Sequence, residues 1–421
     1  MAHLSGTTPL SVPAKRPRDP RLDFFRGVGM FIILIAHIPT NPWADWIPAR
    51  FGFSDATEIF VFCSGVASAL AFGRVFDAAG WLLGTARIFY RVWQVYWCHI
   101  GVFLAVVALL AGADVLAGGG QYLRHDLNLG PFFDDPARRL MEFMALVYVP
   151  NFFDILPMYL VILALVPLVI AASRLSVAAV ALLVSALWGL AALGLIEFTA
   201  ETWSGRPWFF NPFSWQFLFF LGFAFGRGWL VAPAYDARLM SAAAAAILLA
   251  LPFSCQYGWS CFAWYGAVPW FGEVHQALFP LIDKTHLGVL RILHFLAIAY
   301  VAHTLAGAGG HRLHGAGVRH AQQVGRQTLA VFLSGLFLAQ AIGVALDVAG
   351  RSFTTVALAN LGGCALLMLV AAASEWFKSA PWGHVAKAPA RSLPEVAPDA
   401  TRSASTPITP LQASDVSVPF P

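Results

Sequence analysis

Charge is what this chain has least of. Asp, Glu, Lys and Arg supply 11% of its 421 residues, against roughly 25% in an average soluble protein. So few charges argue against an ordinary soluble enzyme. Cysteine is also scarce: Cys63, Cys98, Cys255, Cys261 and Cys364 show neither a CxxC pair nor a metal-ligand spacing, which excludes a disulfide scaffold or a zinc module. Three of the five lie in apolar runs, where cysteine packs as a small hydrophobe. Cys255 and Cys261 share one polar loop and could form a disulfide if that loop lies outside the cytoplasm. Walker loops, GxSxG, HExxH and heptads are missing, and the basic residues are not gathered into a patch. These absences remove P-loop NTPases, α/β-hydrolases, zinc proteases, coiled coils and nucleic-acid binders. No internal repeat is visible, which counts against transporters built from inverted halves.

What is present is apolar. Hydrophobic residues make up 59% of the chain, with 15 Trp and 35 Phe, and the mean hydropathy is +0.69. The pattern predicts an all-α polytopic membrane protein. Ten runs are each about long enough to span a bilayer. They lie near 22–39, 56–73, 90–111, 154–172, 176–196, 213–232, 238–253, 287–307, 327–347 and 354–374. The first follows KRPRDPR, contains an Arg and lacks a small-residue cleavage site after it, so it reads as a retained helix and not a signal peptide. Residues 137–149 read as an amphipathic helix lying on the membrane surface. With both termini cytoplasmic, 18 of the 26 Lys and Arg fall on the inner side, seven fall outside and Arg291 lies within a helix, as the positive-inside rule requires. Three regions are expected: a disordered basic segment 1–20, a ten-helix domain 21–376, and a disordered Ala/Pro/Ser/Thr-rich cytoplasmic tail 377–421. Outer connections are expected at 40–55, 112–153, 197–212 and 254–286, the last two dense in aromatic residues.

The polar residues inside the apolar runs are few enough to name. In RLDFFRGVGMFIILIAHIPT (21–40), Asp23 and Arg26 stand at one end and His37 at the other. Eleven residues separate Arg26 from His37, so both lie on one stripe, about 16 Å apart along the axis. Ionisable groups in a membrane helix are costly and face a protein interior or a wet cavity. Asp55 and Glu58 open the second run at the depth of His37. A carboxylate there would fix the imidazole's tautomer and suit it to general-base work, with Glu58 the first choice. A buried histidine that only hydrogen-bonds between helices is the plainer alternative. Arg87, Arg91 and Arg326 fall at the depth of Arg26, and several guanidiniums would match phosphate oxygens. Positive-inside anchoring explains any one of them equally well. Arg291 and His294 share a face of the eighth run, below Lys284, and Gln216 sits in the sixth. They would join the His37 site or form a structural ion pair with a carboxylate such as Glu58. The outer aromatics could stack on sugar rings or serve as an interfacial belt.

These residues carry a resemblance. The R-x10-H spacing of Arg26 and His37 resembles the motif of the acyltransferase-3 superfamily. RLDFFRG (21–27), SDATEIFVFCSG (54–65), NFFDILPMYLVIL (151–163), NPFSWQFLF (211–219), KTHLGVLRILHFLAIAY (284–300) and GRQTLAVF (325–332) resemble the OpgC family, succinyltransferases of osmoregulated periplasmic glucans. The likeness covers about 21–375, with Thr328 where that family's run would carry Ser. It implies an inner-membrane enzyme that moves an acyl group from cytoplasmic succinyl-CoA to a glucan hydroxyl, with His37 as the catalytic histidine and Arg26 its partner. No cofactor is expected to be permanently bound. The expected partners are succinyl-CoA, the glucan acceptor, the lipid bilayer and a second copy of the chain in a homodimer, with no nucleic acid. Acylation of another envelope polysaccharide is the nearest alternative, and a glycan or organic-anion transporter is the alternative from another class.

Overall fold

A computed structural model describes residues 19–117, 127–254 and 268–384. The chain divides into two units, Met1–Lys378 and Ser379–Pro421; in the second, Pro381–His384 forms one 3-10 turn. Most of segments 1–20 and 377–421, and both Cys255 and Cys261, lie outside the described residues.

The described residues of the first unit are mainly helical. Its helices are α1 (Pro20–His37), α2 (Ala56–Ala117), α3 (Gly130–Asp134), α4 (Pro136–Met144), α5 (Ile155–Ser173), α6 (Val177–Ala192) and α7 (Pro212–Arg227). They continue with α8 (Ala237–Ala250), α9 (Pro269–Ile282), α10 (Val289–Ala306), α11 (Ala316–Arg326), α12 (Thr328–Ala349) and α13 (Phe353–Lys378). Among the described residues there is no strand, only an isolated bridge between Thr199 and Pro207. Each of the ten apolar runs falls on a helix. Five helices (α2, α5, α10, α12 and α13) are long and apolar enough to cross a membrane; the apolar helix α6 and the segment Ala237–Phe253 are shorter. The described residues are those of an all-α protein with several helices apolar and long enough for a membrane.

Local chemistry sets the helix ends. Asp19 caps α1 by accepting the Arg21 N–H at 2.9 Å, with Pro20 at the first helical position. Pro there is pre-set for helix entry. Asp55 and Glu58 form a reciprocal cap on α2. Asp55 Oδ1 accepts the Thr57 N–H and Glu58 Oε2 accepts the Asp55 N–H, both at 2.7 Å, which is capping-box logic with Asp in place of Ser. The second and third apolar runs are one element broken at Gly80, whose φ of 82° and ψ of 176° suit only glycine. The chain direction changes so sharply there that Gly84 lies against the Phe76 ring, whereas eight residues of straight helix would separate them by about 12 Å.

α1 packs against α2, α12 and, most extensively, α11. Gly325 of α11 lies directly on the Asp23 carbonyl, and any side chain there would collide with it. α11 falls between two of the apolar runs, and α9 inside the outer connection expected over 254–286. α4 covers the first part of the amphipathic helix expected over 137–149 and ends at Met144. Below it, Phe103 stacks on Phe143 at 3.8 Å between ring centroids, in a fully buried core that also holds Tyr148, Phe153 and Trp215. Apolar residues such as Leu358, Leu361 and Leu369 of α13 stay exposed, as a lipid-facing surface requires.

Candidate functional site

His37 is the last residue of α1, and its ring is fixed from within its own helix. Nδ1 lies 2.7 Å from the Ile33 carbonyl oxygen. A carbonyl can only accept, so Nδ1 carries the proton and Nε2 keeps its lone pair. The Phe152 ring meets the imidazole edge-on, with centroids 5.0 Å apart; Phe152 is held at φ 67°, a backbone state uncommon for a bulky residue. The turn after His37 is clamped from outside. Arg351 donates to the carbonyls of Pro39 (2.8 Å) and Thr40 (3.3 Å) while bonding Asp347 at 2.6 Å. Asn41 and Asn360 exchange side-chain amide bonds at 2.8 and 3.0 Å, and Asn41 also donates to the Ile35 carbonyl at 2.9 Å.

Beside this turn lies a buried charge cluster. Glu58 is fully buried, and its Oε1 accepts from Arg291 Nε at 2.8 Å and Nη2 at 2.6 Å. Arg291 also reaches Asp55 at 3.5 Å, and the Lys284 ammonium lies 2.5 Å from the same Asp55 oxygen. Burial alone would raise the Asp55 carboxyl, but the facing Lys284 and Arg291 outweigh it and hold it well below its ordinary range. Glu58 is thus committed to Arg291. It is not the hydrogen-bond partner of His37, a role the Ile33 carbonyl fills. Asp55 and Lys284 remain within electrostatic reach of the imidazole. The Lys284 ammonium also stands 5.9 Å and 5.7 Å from the Phe209 and Phe210 ring centroids.

His294 borders the cluster. Its Nδ1 accepts the Ser54 backbone N–H at 3.2 Å, with the Ser54 hydroxyl 2.8 Å away. The amide can only donate, so Nε2 carries this ring's proton. Gln216 stands apart: its Nε2 donates to the carbonyls of Val184 and Phe213 at 2.8 and 3.0 Å, joining α7 to α6.

At the other end of α1, Asp23 is buried and Arg26 half-buried. Both lie within electrostatic reach of the Cys63 thiol of α2. Of the other arginines, Arg326 faces Glu375 at 3.1 Å, Arg87 lies over the Tyr90 ring at 5.6 Å and Arg91 bonds Gln94 at 3.3 Å. The structure thus gathers His37, Asp55, Glu58, Lys284, Arg291 and His294.

Sequence reasoning passed over Ser54, Phe152, Asp154 and Arg351. Ser54, Phe152 and Asp154 lie inside runs quoted for the resemblance, whereas Arg351 follows an apolar run and looks like a helix-end anchor. Asp154 is buried beside Phe152, with one carboxyl oxygen unpartnered. Burial pushes this carboxyl up from 3.8 to about 7, against the pull of Arg206 and of the Phe209, Asp154 and Phe152 amides.

A helical membrane protein with an imidazole held in one tautomer beside a buried acid–base cluster belongs to the class that carries a polar site into the bilayer. The particular family follows from comparison with known proteins. The model of the OpgC protein family matches residues 18–379, and the chain belongs to that family. Membership points to a role in modifying osmoregulated periplasmic glucans. No curated protein and no solved structure matches the chain.

Proposed function

We propose that the protein is an inner-membrane O-acyltransferase that moves a succinyl group from cytoplasmic succinyl-CoA to glucose hydroxyls of a periplasmic glucan. The observation that carries this reading is the state of His37: with Nδ1–H given to Ile33, Nε2 is the basic atom. In the proposed reaction Nε2 takes the proton of a sugar hydroxyl. The oxygen attacks the thioester carbonyl, an ester C–O bond forms, and the C–S bond breaks. The imidazolium returns its proton to the departing CoA thiolate. Among the described residues no serine or cysteine is paired with His37, which supports direct transfer without an acyl-enzyme.

The topology proposed with it has ten spans and both termini cytoplasmic, so that the Arg26 end of α1 faces CoA and the His37 end faces the glucan. Arg26 is the guanidinium we assign to the CoA phosphates, with Asp23 beside it. Arg326, beside Glu375, and Arg87 and Arg91, beside Tyr90 and Gln94, are the further guanidiniums we assign to that end. In the His37 cluster, Glu58 and Arg291 act as a scaffold. Lys284 is the accessible cation, its side chain 24% exposed against 7% for Arg291. It is the natural reader of the free carboxylate on a dicarboxylic acyl group, with the proton on His294 Nε2 a second donor. Gln216 has a helix-pairing role that does not bear on chemistry.

The test is purified protein with succinyl-CoA. Free CoA thiol released in step with added glucan, one thiol per ester formed, supports the enzyme. Movement of glucan or succinate across a vesicle membrane without thiol release would replace it with a transporter.

A further inference from the structure

Away from His37, a hairpin spans residues 198–208. Ala200 N–H donates to the Arg206 carbonyl at 2.6 Å, and Trp208 N–H to the Phe198 carbonyl at 2.8 Å. The Val149 N–H joins it by donating to the Ala200 carbonyl at 2.8 Å. Near its tip, beside Gly205 in the left-handed region at φ 69°, stands Trp203. The Arg139 guanidinium of α4 lies over this indole, 4.2 Å from the ring centroid, and Arg139 is itself paired with Glu142. The Tyr148 ring flanks the indole at 5.6 Å. Tyr148 is fully buried and anchored by donating its hydroxyl proton to the Asn128 carbonyl at 2.7 Å. Held on these sides, Trp203 still leaves 43% of its surface exposed.

The setting is polar. Two paired groups flank Trp203 in the chain: Arg138 and Arg139 pair with Glu142, which accepts from the Thr202 hydroxyl at 3.3 Å, and Arg206 pairs with Glu201, which accepts from Asn128 at 3.0 Å. A tryptophan serving only as a membrane anchor sits among lipid chains and headgroups, whereas the hairpin that carries Trp203 also carries the paired charges Glu201 and Arg206. A half-exposed indole held by a guanidinium and a tyrosine ring, with carboxylates on neighbouring residues, is the chemistry that receives a sugar. The electron-rich ring face meets the apolar C–H face of a pyranose, and neighbouring acceptors take its hydroxyl protons. Because the ring is already fixed, little side-chain entropy is lost on binding.

The hairpin is also tied to the reaction centre. Val149, which pairs with it, and Phe152, which meets His37, are three residues apart, at most about 11 Å of chain. A polymer presented to His37 can therefore reach Trp203 with a few of its sugar units. We propose that Trp203 is a remote stacking platform for the acceptor glucan, engaging a glucose unit several residues from the one acylated. This rests on the glucan reading above.

The experiment is calorimetric binding to the full chain in detergent, with no acyl donor present so that nothing turns over. The probes are an eight-unit gluco-oligosaccharide prepared from periplasmic glucan, and free glucose. Trp203→Ala is expected to weaken octasaccharide binding about tenfold and leave glucose binding unchanged, while Trp203→Phe keeps most of the affinity. Equal octasaccharide affinity for the parent and Trp203→Ala overturns the platform and leaves the glucan reading standing. A parent chain that binds neither probe overturns both.

Discussion

The Glu58–Arg291 pair offers the sharpest test of which buried charges are scaffold and which are chemistry. Glu58 is 0% exposed, and the Arg291 side chain 7%. Two guanidinium nitrogens converge on one carboxylate oxygen while the other oxygen accepts the Asp55 amide. Arg291→Met leaves that carboxylate buried without its cation, which costs about 3–5 kcal/mol. At about 2.1 cal/mol/K of unfolding entropy per residue, a unit of this size loses roughly 4–6 °C of melting temperature. Glu58→Gln should cost less, about 1–3 kcal/mol, because Arg291 keeps Asp55 at 3.5 Å. The double variant should be more stable than Arg291→Met alone, with a coupling of about 2–3 kcal/mol. Tryptophan-fluorescence melting of the four proteins in detergent closes the cycle. The same preparations, offered equimolar acetyl-CoA and succinyl-CoA, should keep the parent's preference between them. Additive destabilisation would refute the pairing argument, and a preference switched by Arg291→Met would make Arg291 the reader of the acyl group.

Three further predictions follow from neighbouring contacts. Lys284→Met should narrow the preference for succinyl-CoA over acetyl-CoA by about tenfold, the worth of one charge-assisted hydrogen bond; competition kinetics would show an unchanged ratio if the assignment is wrong. Arg351→Gln gives up the clamp on the Pro39 and Thr40 carbonyls, and should lower kcat with KM for the donor unchanged. A loss confined to KM would separate that clamp from His37. Asp154 should make stability depend on pH. Its carboxyl is neutral in both states below about pH 4 and ionises first in the unfolded chain, so stability falls as pH rises towards the folded value of about 7, by about 4 kcal/mol in all. Asp154→Asn removes the titration, so the melting-temperature gap in its favour should widen between pH 5 and pH 8; a constant gap would refute the burial argument.

The helical architecture was legible because hydropathy reports burial in lipid directly, and α1 with its Arg26–His37 stripe could be placed from helical periodicity. Two helices were missed, each for its own reason. AGVRHAQQVGR of α11 is short and polar, and its helix exists because Ala321, Val324 and Gly325 bury against α1, a tertiary contact that no local pattern announces. The region of α9 sits in a segment whose aromatic and polar residues masked its periodicity. In the site, depth was readable and lateral pairing was not. Spacing put Glu58 level with His37, and the ion pair with Arg291, weighed as an alternative, is the partner the fold selects. The tautomer of His37 is set four residues back in its own helix, a relation written in the sequence that the search for a carboxylate obscured. Phe152 comes to the imidazole from another segment, through a strained turn visible only in three dimensions.

The central claim is that Nε2 of His37 removes the proton from a glucan hydroxyl. The most direct measurement is mass spectrometry of periplasmic glucans from cells carrying the parent gene, the His37→Ala gene or neither, with membrane levels of both proteins matched. The account predicts succinyl esters on glucans from the parent alone, and a rate of ester formation lower by roughly 10²–10⁴ for His37→Ala in purified protein. Glucans succinylated to the parent's extent by well-folded His37→Ala would contradict it.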